Sequence, residues 1–133
     1  MSNGVRMKRD WKTIKVILEQ VESGKLKQYY ESEKYENDPD VRNEENFLGH
    51  IEILVDAGII KHCIVKRDPY GHFVNFNANG VFISMHGHDL LDAMRDSSLW
   101  ERLMIKAKQS GLSLSWEVIK ACMPVVICEM LNN

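Results

Sequence analysis

The sequence predicts an α+β fold of the winged helix-turn-helix type with a helical C-terminal extension. Three observations along residues 43–95 predict it: an amphipathic helical pattern that stops at Gly58, a β-branched segment with two turn signals, and a second helical pattern that begins at Leu90. A helix, a β-ribbon and a further helix, in that order, are typical of a winged helix.

The first predicted helix begins at Asp10, a candidate N-cap, and stops at Ser23-Gly24. Its apolar residues recur at helical spacing, with lysines and glutamates on the other side. These apolar residues are Trp11, Ile14, Ile17, Leu18 and Val21. Residues 25–30 form a short, partly β-prone segment, and an acidic polar loop at residues 31–45 follows.

The second strong helix has Asn43 as its predicted N-cap and Gly58 as its stop. Its buried stripe comprises Phe47, Leu48, Ile51, Leu54 and Val55. Residues 59–65 are then rich in β-branched side chains, and turn signals follow at residues 68–71 and 77–80. This pattern predicts an antiparallel ribbon of two or three strands.

The predicted domain limits are residues 7–96 for the winged-helix-like domain and residues 97–133 for the helical extension. Pro124 should kink or break the last helix, because proline cannot donate the backbone hydrogen bond. The residues after it are unusually apolar, and such surface is covered by the chain's own core or by another chain. We therefore expect a homo-oligomer that associates through Val126, Ile127, Met130 and Leu131.

Length and composition favour a soluble, cytoplasmic protein. A chain of 133 residues can bury a core without disulfides or metal. The three cysteines, Cys63, Cys122 and Cys128, cannot all pair, which favours free thiols in a reducing compartment. The sequence has no apolar run of membrane-spanning length and no apolar leader, so no membrane partner is expected.

Neither a metal site nor an enzyme active site is expected. The pairs His62-Cys63 and His86/His88 are adjacent or one residue apart, whereas a structural zinc site needs two close pairs separated by a loop. No phosphate-binding loop, nucleophile motif or paired carboxylates of recognised spacing occur. The sequence therefore predicts no cofactor and a non-enzymatic protein.

Four phrases carry a resemblance to a known family. They are MKRDW at residues 7–11, GHIEILVDAGII at 49–60, GHDLLDAMRD at 87–96 (followed by Leu99-Trp100) and SLS at 113–115. Over nearly the whole chain the sequence resembles an uncharacterised bacterial and phage family, a domain of unknown function. The resemblance implies a winged-helix-like domain with a helical extension, often in prophage or mobile-element genes, and no established activity. The acidic segment at residues 31–40 is longer here than in the family pattern.

A DNA-binding transcriptional regulator is the first functional hypothesis, by analogy of fold. In a winged helix, the second helix of the motif reaches the bases and the ribbon contacts phosphates. The candidate nucleic-acid contacts are Asn43, Asn46, His50, Lys61, Lys66 and Arg67. Residues 43–57, however, contain four acidic residues and no Lys or Arg, and acidic side chains repel phosphate.

A protein–protein interaction module, such as a phage-encoded inhibitor or modulator of a host protein, is the alternative. The net charge of −2 is unevenly distributed, since residues 28–58 contain two Lys/Arg against nine Asp/Glu. Such a segment attracts a basic protein surface and speeds the encounter. The candidate partner face comprises Glu36, Asp38, Asp40, Glu44, Glu45 and Glu52. The sequence leaves open whether the partner is DNA or protein.

Overall fold

The structure is a computed structural model that describes residues 9–111 and 115–132. It divides the chain into two compact units, the first ending at Leu91 and the second beginning at Asp92. The described residues form six α-helices and two small antiparallel sheets. The predicted α+β class is confirmed at this level. The predicted start of the first domain, residue 7, lies outside the described residues.

The first unit begins with helix α1, Trp11–Glu22. The side chain of Asp10 caps it, accepting a hydrogen bond of 2.9 Å from the backbone N–H of Lys12. Beyond the C-cap Ser23, Gly24 takes a φ of 74°, a conformation that glycine adopts without steric cost. Both ends that the sequence predicts for this helix are confirmed.

Helix α2, Leu26–Glu31, corrects the prediction that residues 25–30 are a partly β-prone segment. Leu26 and Tyr29 lie three residues apart and are both buried. Because these positions share one face of a helix, their burial outweighs the weak β-propensity of tyrosine. A 3-10 turn, Lys34–Asn37, then occupies part of the predicted acidic loop.

Helix α3, Glu44–Asp56, is the predicted second strong helix. Its N-cap is Asn43, whose side chain accepts a hydrogen bond of 2.8 Å from the backbone N–H of Asn46. The chain turns at Gly58, where φ is 71°. Both predicted ends are confirmed, and Phe47, Leu48, Ile51 and Leu54 of the predicted stripe are buried, whereas Val55 is only half-buried. The helix packs against α1, the 3-10 turn and the strands that follow it.

Four short strands form two separate sheets rather than one ribbon. They are β1, Ile60–Lys61, β2, Ile64–Arg67, β3, Phe73–Asn77, and β4, Phe82–Ile83. Strands β2 and β3 form a hairpin with Val65 opposite Phe76, and β1 pairs with β4. His62 separates β1 from β2 with a φ of 60°, which interrupts the extended backbone that a continuous strand requires.

Helix α4, Met85–Arg95, starts in the first unit. The hydroxyl of Ser84 donates a hydrogen bond of 3.0 Å to the Ile59 carbonyl and accepts one of 3.1 Å from the Gly87 N–H. A Cβ at position 87 would lie 2.5 Å from that carbonyl oxygen and would overlap the Ile83 side chain. Glycine therefore allows the first turn of α4 to pack directly on Ile59, the residue before β1, and on Ile83 of β4.

The second unit contains a hairpin of helices α5, Ser97–Gln109, and α6, Trp116–Leu131. Helix α6 continues through Pro124, so the predicted break does not occur. The two helices bury Leu103 and Ala107 of α5 and Ile119 and Val126 of α6.

Of the four residues predicted to mediate self-association, some therefore lie in the core and others at the surface. Val126 is 1% exposed and belongs to the hairpin's own core, so its assignment to an oligomer interface is wrong. Met130 is half-buried, whereas Ile127 and Leu131 are 40% and 80% exposed. Helical geometry explains the division, because residues one apart on a helix point in directions about 100° apart.

Candidate interaction surface

His50, a predicted base contact, lies inside the first unit with no exposed surface. Its Nε2 accepts a hydrogen bond of 2.8 Å from the backbone N–H of Asp10, and its Nδ1 lies 2.8 Å from the Asn46 carbonyl oxygen. Because Nε2 accepts, Nδ1 carries the proton and donates, and the ring is neutral. Burial lowers the pKa of His50. The residue joins the start of α1 to α3 instead of reaching outward.

The two asparagines predicted to read bases also serve the fold. The amide nitrogen of Asn46 donates to the Val41 carbonyl at 2.7 Å and to the Thr13 hydroxyl at 3.1 Å. Asn43 is the N-cap of α3. These hydrogen bonds hold the residues that precede α3 against α1. Asn43, Asn46 and His50 therefore do not form a row of polar side chains that faces outward.

Arg67, a predicted phosphate contact, fastens the β2–β3 hairpin to α3. Its Nε and Nη2 donate to the two carboxylate oxygens of Glu52, each at 3.0 Å, and its Nη1 donates to the Gly71 carbonyl at 2.6 Å. The guanidinium also lies 3.9 Å from the centre of the Phe73 ring. The hydrogen bond to Glu52 raises the pKa of Arg67. Arginine can make five such bonds, and most of this capacity is used within the protein.

The remaining predicted phosphate contacts, Lys61 and Lys66, lie exposed on β1 and β2. The structure therefore keeps two of the six predicted nucleic-acid residues at the surface as charged groups without an ion pair among the described residues. By contrast, the exposed residues of α3 are Glu44, Glu45 and Asp56. The surface of this helix is acidic.

Aromatic rings connect α3 to the elements around it. The ring centre of Tyr30 lies 4.7 Å from that of Phe76 and 5.9 Å from that of Phe47, and Tyr35 lies 5.8 Å from Phe47. These contacts join α2 and the 3-10 turn to α3 and β3. Aromatic pairs at such distances stabilise a fold beyond the area that they bury. The acidic segment between α2 and α3 is thereby held in a defined position.

Three carboxylates gather at the edge of this aromatic cluster. The hydroxyl of Tyr30 donates a hydrogen bond of 3.0 Å to Glu44. Burial, followed by the negative charges of Glu44, Glu33 and Glu36, raises the pKa of Tyr35 to about 12. We call Glu33, Glu36, Glu44 and the neighbouring Glu45 the acidic face; all four are exposed. The sequence prediction missed Glu33, although its place in the acidic segment was an available signal.

Of the other predicted acidic residues, Asp38 and Glu52 use their carboxylates within the fold, and Asp40 contributes its backbone groups. Asp38 accepts hydrogen bonds of 3.0 Å from the Tyr29 hydroxyl and from the backbone N–H of Asp40. Burial and the Asp38 hydrogen bond raise the pKa of Tyr29. The Asp40 carbonyl accepts from Thr13 at 2.6 Å, and Glu52 is paired with Arg67. The structure thus brings Glu36 and Glu44 together with Glu33 near Tyr35, leaves Glu45 exposed beside Glu44 in the sequence, and uses Asp38 and Glu52 in packing.

Two further findings concern metals and membranes. Within residues 9–111 and 115–132, no three His, Cys, Asp or Glu side chains come together as a metal ion would require. None of the helices in this part of the chain combines the length and apolar character of a bilayer span.

Comparison with known proteins places the chain among relatives of undescribed activity. A family described as "Hypothetical protein (DUF2513)" matches residues 8–113. The chain belongs to this family. An "Uncharacterized protein" from Haemophilus influenzae is 28% identical over 133 residues, covering 94% of this chain and 99% of the relative. No solved structure matches the chain. The resemblance to an uncharacterised domain family is thereby confirmed.

Proposed function

We propose that this member of the family is a non-enzymatic protein-binding module whose first unit is winged-helix-like. The acidic face, Glu33, Glu36, Glu44 and Glu45, would bind a basic surface of a protein partner. One observation carries the proposal: α3, the helix that would reach the bases if the first unit were a winged helix, exposes acidic residues and contains no Lys or Arg. A cytoplasmic location, favoured by the unpaired cysteines, is part of the proposal.

The energetics of DNA binding support a protein partner over a duplex. Affinity for DNA comes mainly from Lys and Arg that neutralise phosphates. Arg67 would have to leave the carboxylate of Glu52 to contact a phosphate, and His50 would have to leave the interior. A duplex that approached α3 would also meet Glu44 and Glu45, which repel phosphate.

A basic protein surface fits the same features. Lysine and arginine side chains can bind the carboxylates of the acidic face directly and raise the association rate through long-range attraction. Because the aromatic cluster fixes the segment between α2 and α3, little ordering would be needed on binding. The prophage setting implied by the resemblance would make the partner a host protein.

Affinity capture with matched charge variants tests this proposal. The double variant Glu36→Lys/Glu45→Lys reverses two exposed acids for which the structure shows no side-chain hydrogen bond. The control, Asp92→Lys/Glu101→Lys, makes the same change in net charge at exposed positions of the second unit. Immobilised wild type and both variants are exposed to nuclease-treated bacterial lysate, and any captured protein is purified and titrated directly at two salt concentrations.

The proposal predicts that wild type and control bind the same protein, and that Glu36→Lys/Glu45→Lys weakens the titrated affinity at least about tenfold, or 1.4 kcal/mol. Higher salt should weaken the wild-type complex, since exposed charges are screened. A partner that binds all three proteins equally would refute the assignment of the acidic face. Capture from a parallel untreated lysate that is absent from the nuclease-treated lysate would point to nucleic acid instead.

A DNA-binding transcriptional regulator is the second candidate. It is favoured by the order of α1, α2, α3 and the β2–β3 hairpin, and by the exposed Lys61 and Lys66. Anisotropy titration of a fluorescent random duplex tests it. Saturable, strongly salt-dependent binding that Lys61→Glu/Lys66→Glu abolishes would support the regulator.

A further inference from the structure

Helix α6 is too apolar for the small core that it helps to form. Only three of its 16 residues, Glu117, Lys120 and Glu129, are charged. A helix that is apolar on all sides is normally covered on all sides. Against α5, however, α6 fully buries only Ile119 and Val126.

A groove of about 490 Å³ runs between α5 and α6. Val118, Ala121, Cys122 and Val125 supply its apolar floor, and Val125 is 50% exposed. All four side chains have at most three heavy atoms, so the backbone of another helix can approach closely. The apolar floor suits a helix rather than a polar ligand.

The rim of the groove carries both signs of charge. Lys106 of α5 makes a 2.9 Å ion pair with Glu129, and its side chain is 35% exposed. Glu117 lies 3.5 Å from Lys120, with 79% of its side chain exposed. A two-fold interface sets one patch against an identical patch, so a patch of a single sign would repel itself. A patch with Lys106 and Glu117 can instead pair cation with anion across the axis.

We propose that the groove is occupied by α6 of a second copy of this chain. The two α5–α6 hairpins then form a four-helix bundle whose core includes Ala121 and Val125 of both copies. Lys106 of each copy faces Glu117 of the other. This interface is centred on Val125 and not on the more C-terminal residues predicted from sequence, and it is independent of the acidic face.

Sedimentation equilibrium of the full chain over a range of concentrations tests the proposal. Val125→Lys places a charge in the groove at an exposed position, so the monomer should still fold, which far-UV circular dichroism verifies. The matched control is Ile127→Lys, an equivalent change on the same helix at a residue that does not line the groove. We expect wild type and Ile127→Lys to dimerise with similar affinity and Val125→Lys to dimerise at least about tenfold more weakly.

A double-mutant cycle with Lys106→Gln and Glu117→Gln tests the charge pairing. The intramolecular bond to Glu129 is lost in both members that carry Lys106→Gln, so its contribution cancels. We expect Glu117→Gln to weaken the wild-type dimer more than it weakens the Lys106→Gln dimer. A wild-type chain that stays monomeric, a Val125→Lys chain that still dimerises, or an Ile127→Lys chain that loses the dimer equally would overturn the groove interface. Additive effects in the cycle would overturn the pairing.

Discussion

Lowering the pH below about 6.5, the ordinary pKa of histidine, should destabilise the first unit through His50. In the folded protein Nε2 of this ring accepts the Asp10 N–H at 2.8 Å and Nδ1 donates to Asn46. A second proton on the ring would have to lie on Nε2, where it would face the Asp10 N–H. Protonation therefore removes one hydrogen bond and places a charge in the interior.

The sign of the effect follows from the lowered pKa of His50. The unfolded chain takes up the proton first as the pH falls, so the free energy of unfolding decreases below the unfolded pKa and continues to decrease until the folded pKa is reached. The slope from this one group approaches about 1.4 kcal/mol per pH unit. The stabilisation by the neutral ring is fully present above the unfolded pKa. Asp10, whose pKa is lowered from 3.8 by hydrogen bonds that outweigh its partial burial, acts only in more acidic solution.

Urea denaturation of wild type and His50→Gln as a function of pH measures this contribution. Glutamine can accept the Asp10 N–H but does not titrate, so the variant should be less stable at neutral pH and less sensitive to acid. We expect the stability difference to shrink by about 1.4 kcal/mol per pH unit below the histidine pKa. Parallel pH dependences of the two proteins would refute the assigned role, because the other histidines are present in both.

Substitutions at three positions test the packing of the first unit, by the same denaturation assay and, for Arg67, also by hydrogen exchange. Gly87→Ala should cost about 1–3 kcal/mol, since its Cβ would overlap Ile83 and the carbonyl of Ile59; an unchanged midpoint would contradict this contact. Asn43→Ala should cost about 1 kcal/mol through loss of the α3 cap, and Asn43→Asp should retain most of that stability. Arg67→Ala should speed amide hydrogen exchange in β2 and β3. It should lower the free energy of global unfolding by only about 1 kcal/mol, because the ion pair with Glu52 is one-third exposed. Unaltered exchange would argue against the role of Arg67 in holding the hairpin to α3.

Local patterns predicted the helices that carry strong signals at both ends. Helix α1 has a capping aspartate, an apolar stripe and a terminal glycine, and α3 has the corresponding asparagine and glycine. Each signal acts within a few residues, so it can be read from the sequence alone. Helix α2 was not predicted because it is only six residues long, too short for its apolar residues to show a helical period.

The candidate site was less predictable because its partners are distant in sequence. His50 bonds to a residue 40 positions away, and Arg67 pairs with Glu52 across 15 positions. The sequence alone does not show these distant partners. A histidine or an arginine in a winged-helix pattern can therefore be interpreted equally well as a DNA contact or as a residue that stabilises the fold. The acidic composition of residues 28–58 was visible in advance, but only the fold separates Glu36 at the surface from the hydrogen-bonded Asp38.

Fluorescence anisotropy of a random DNA duplex titrated with the full chain tests most directly whether α3 faces a protein rather than DNA. Duplex binders without sequence preference bind with dissociation constants of roughly 1–100 µM at physiological salt. We predict no saturable binding in that range, at either low or physiological salt, and no change on replacing Lys61 and Lys66 with glutamate. Micromolar binding that weakens steeply with salt and disappears in that variant would contradict the account.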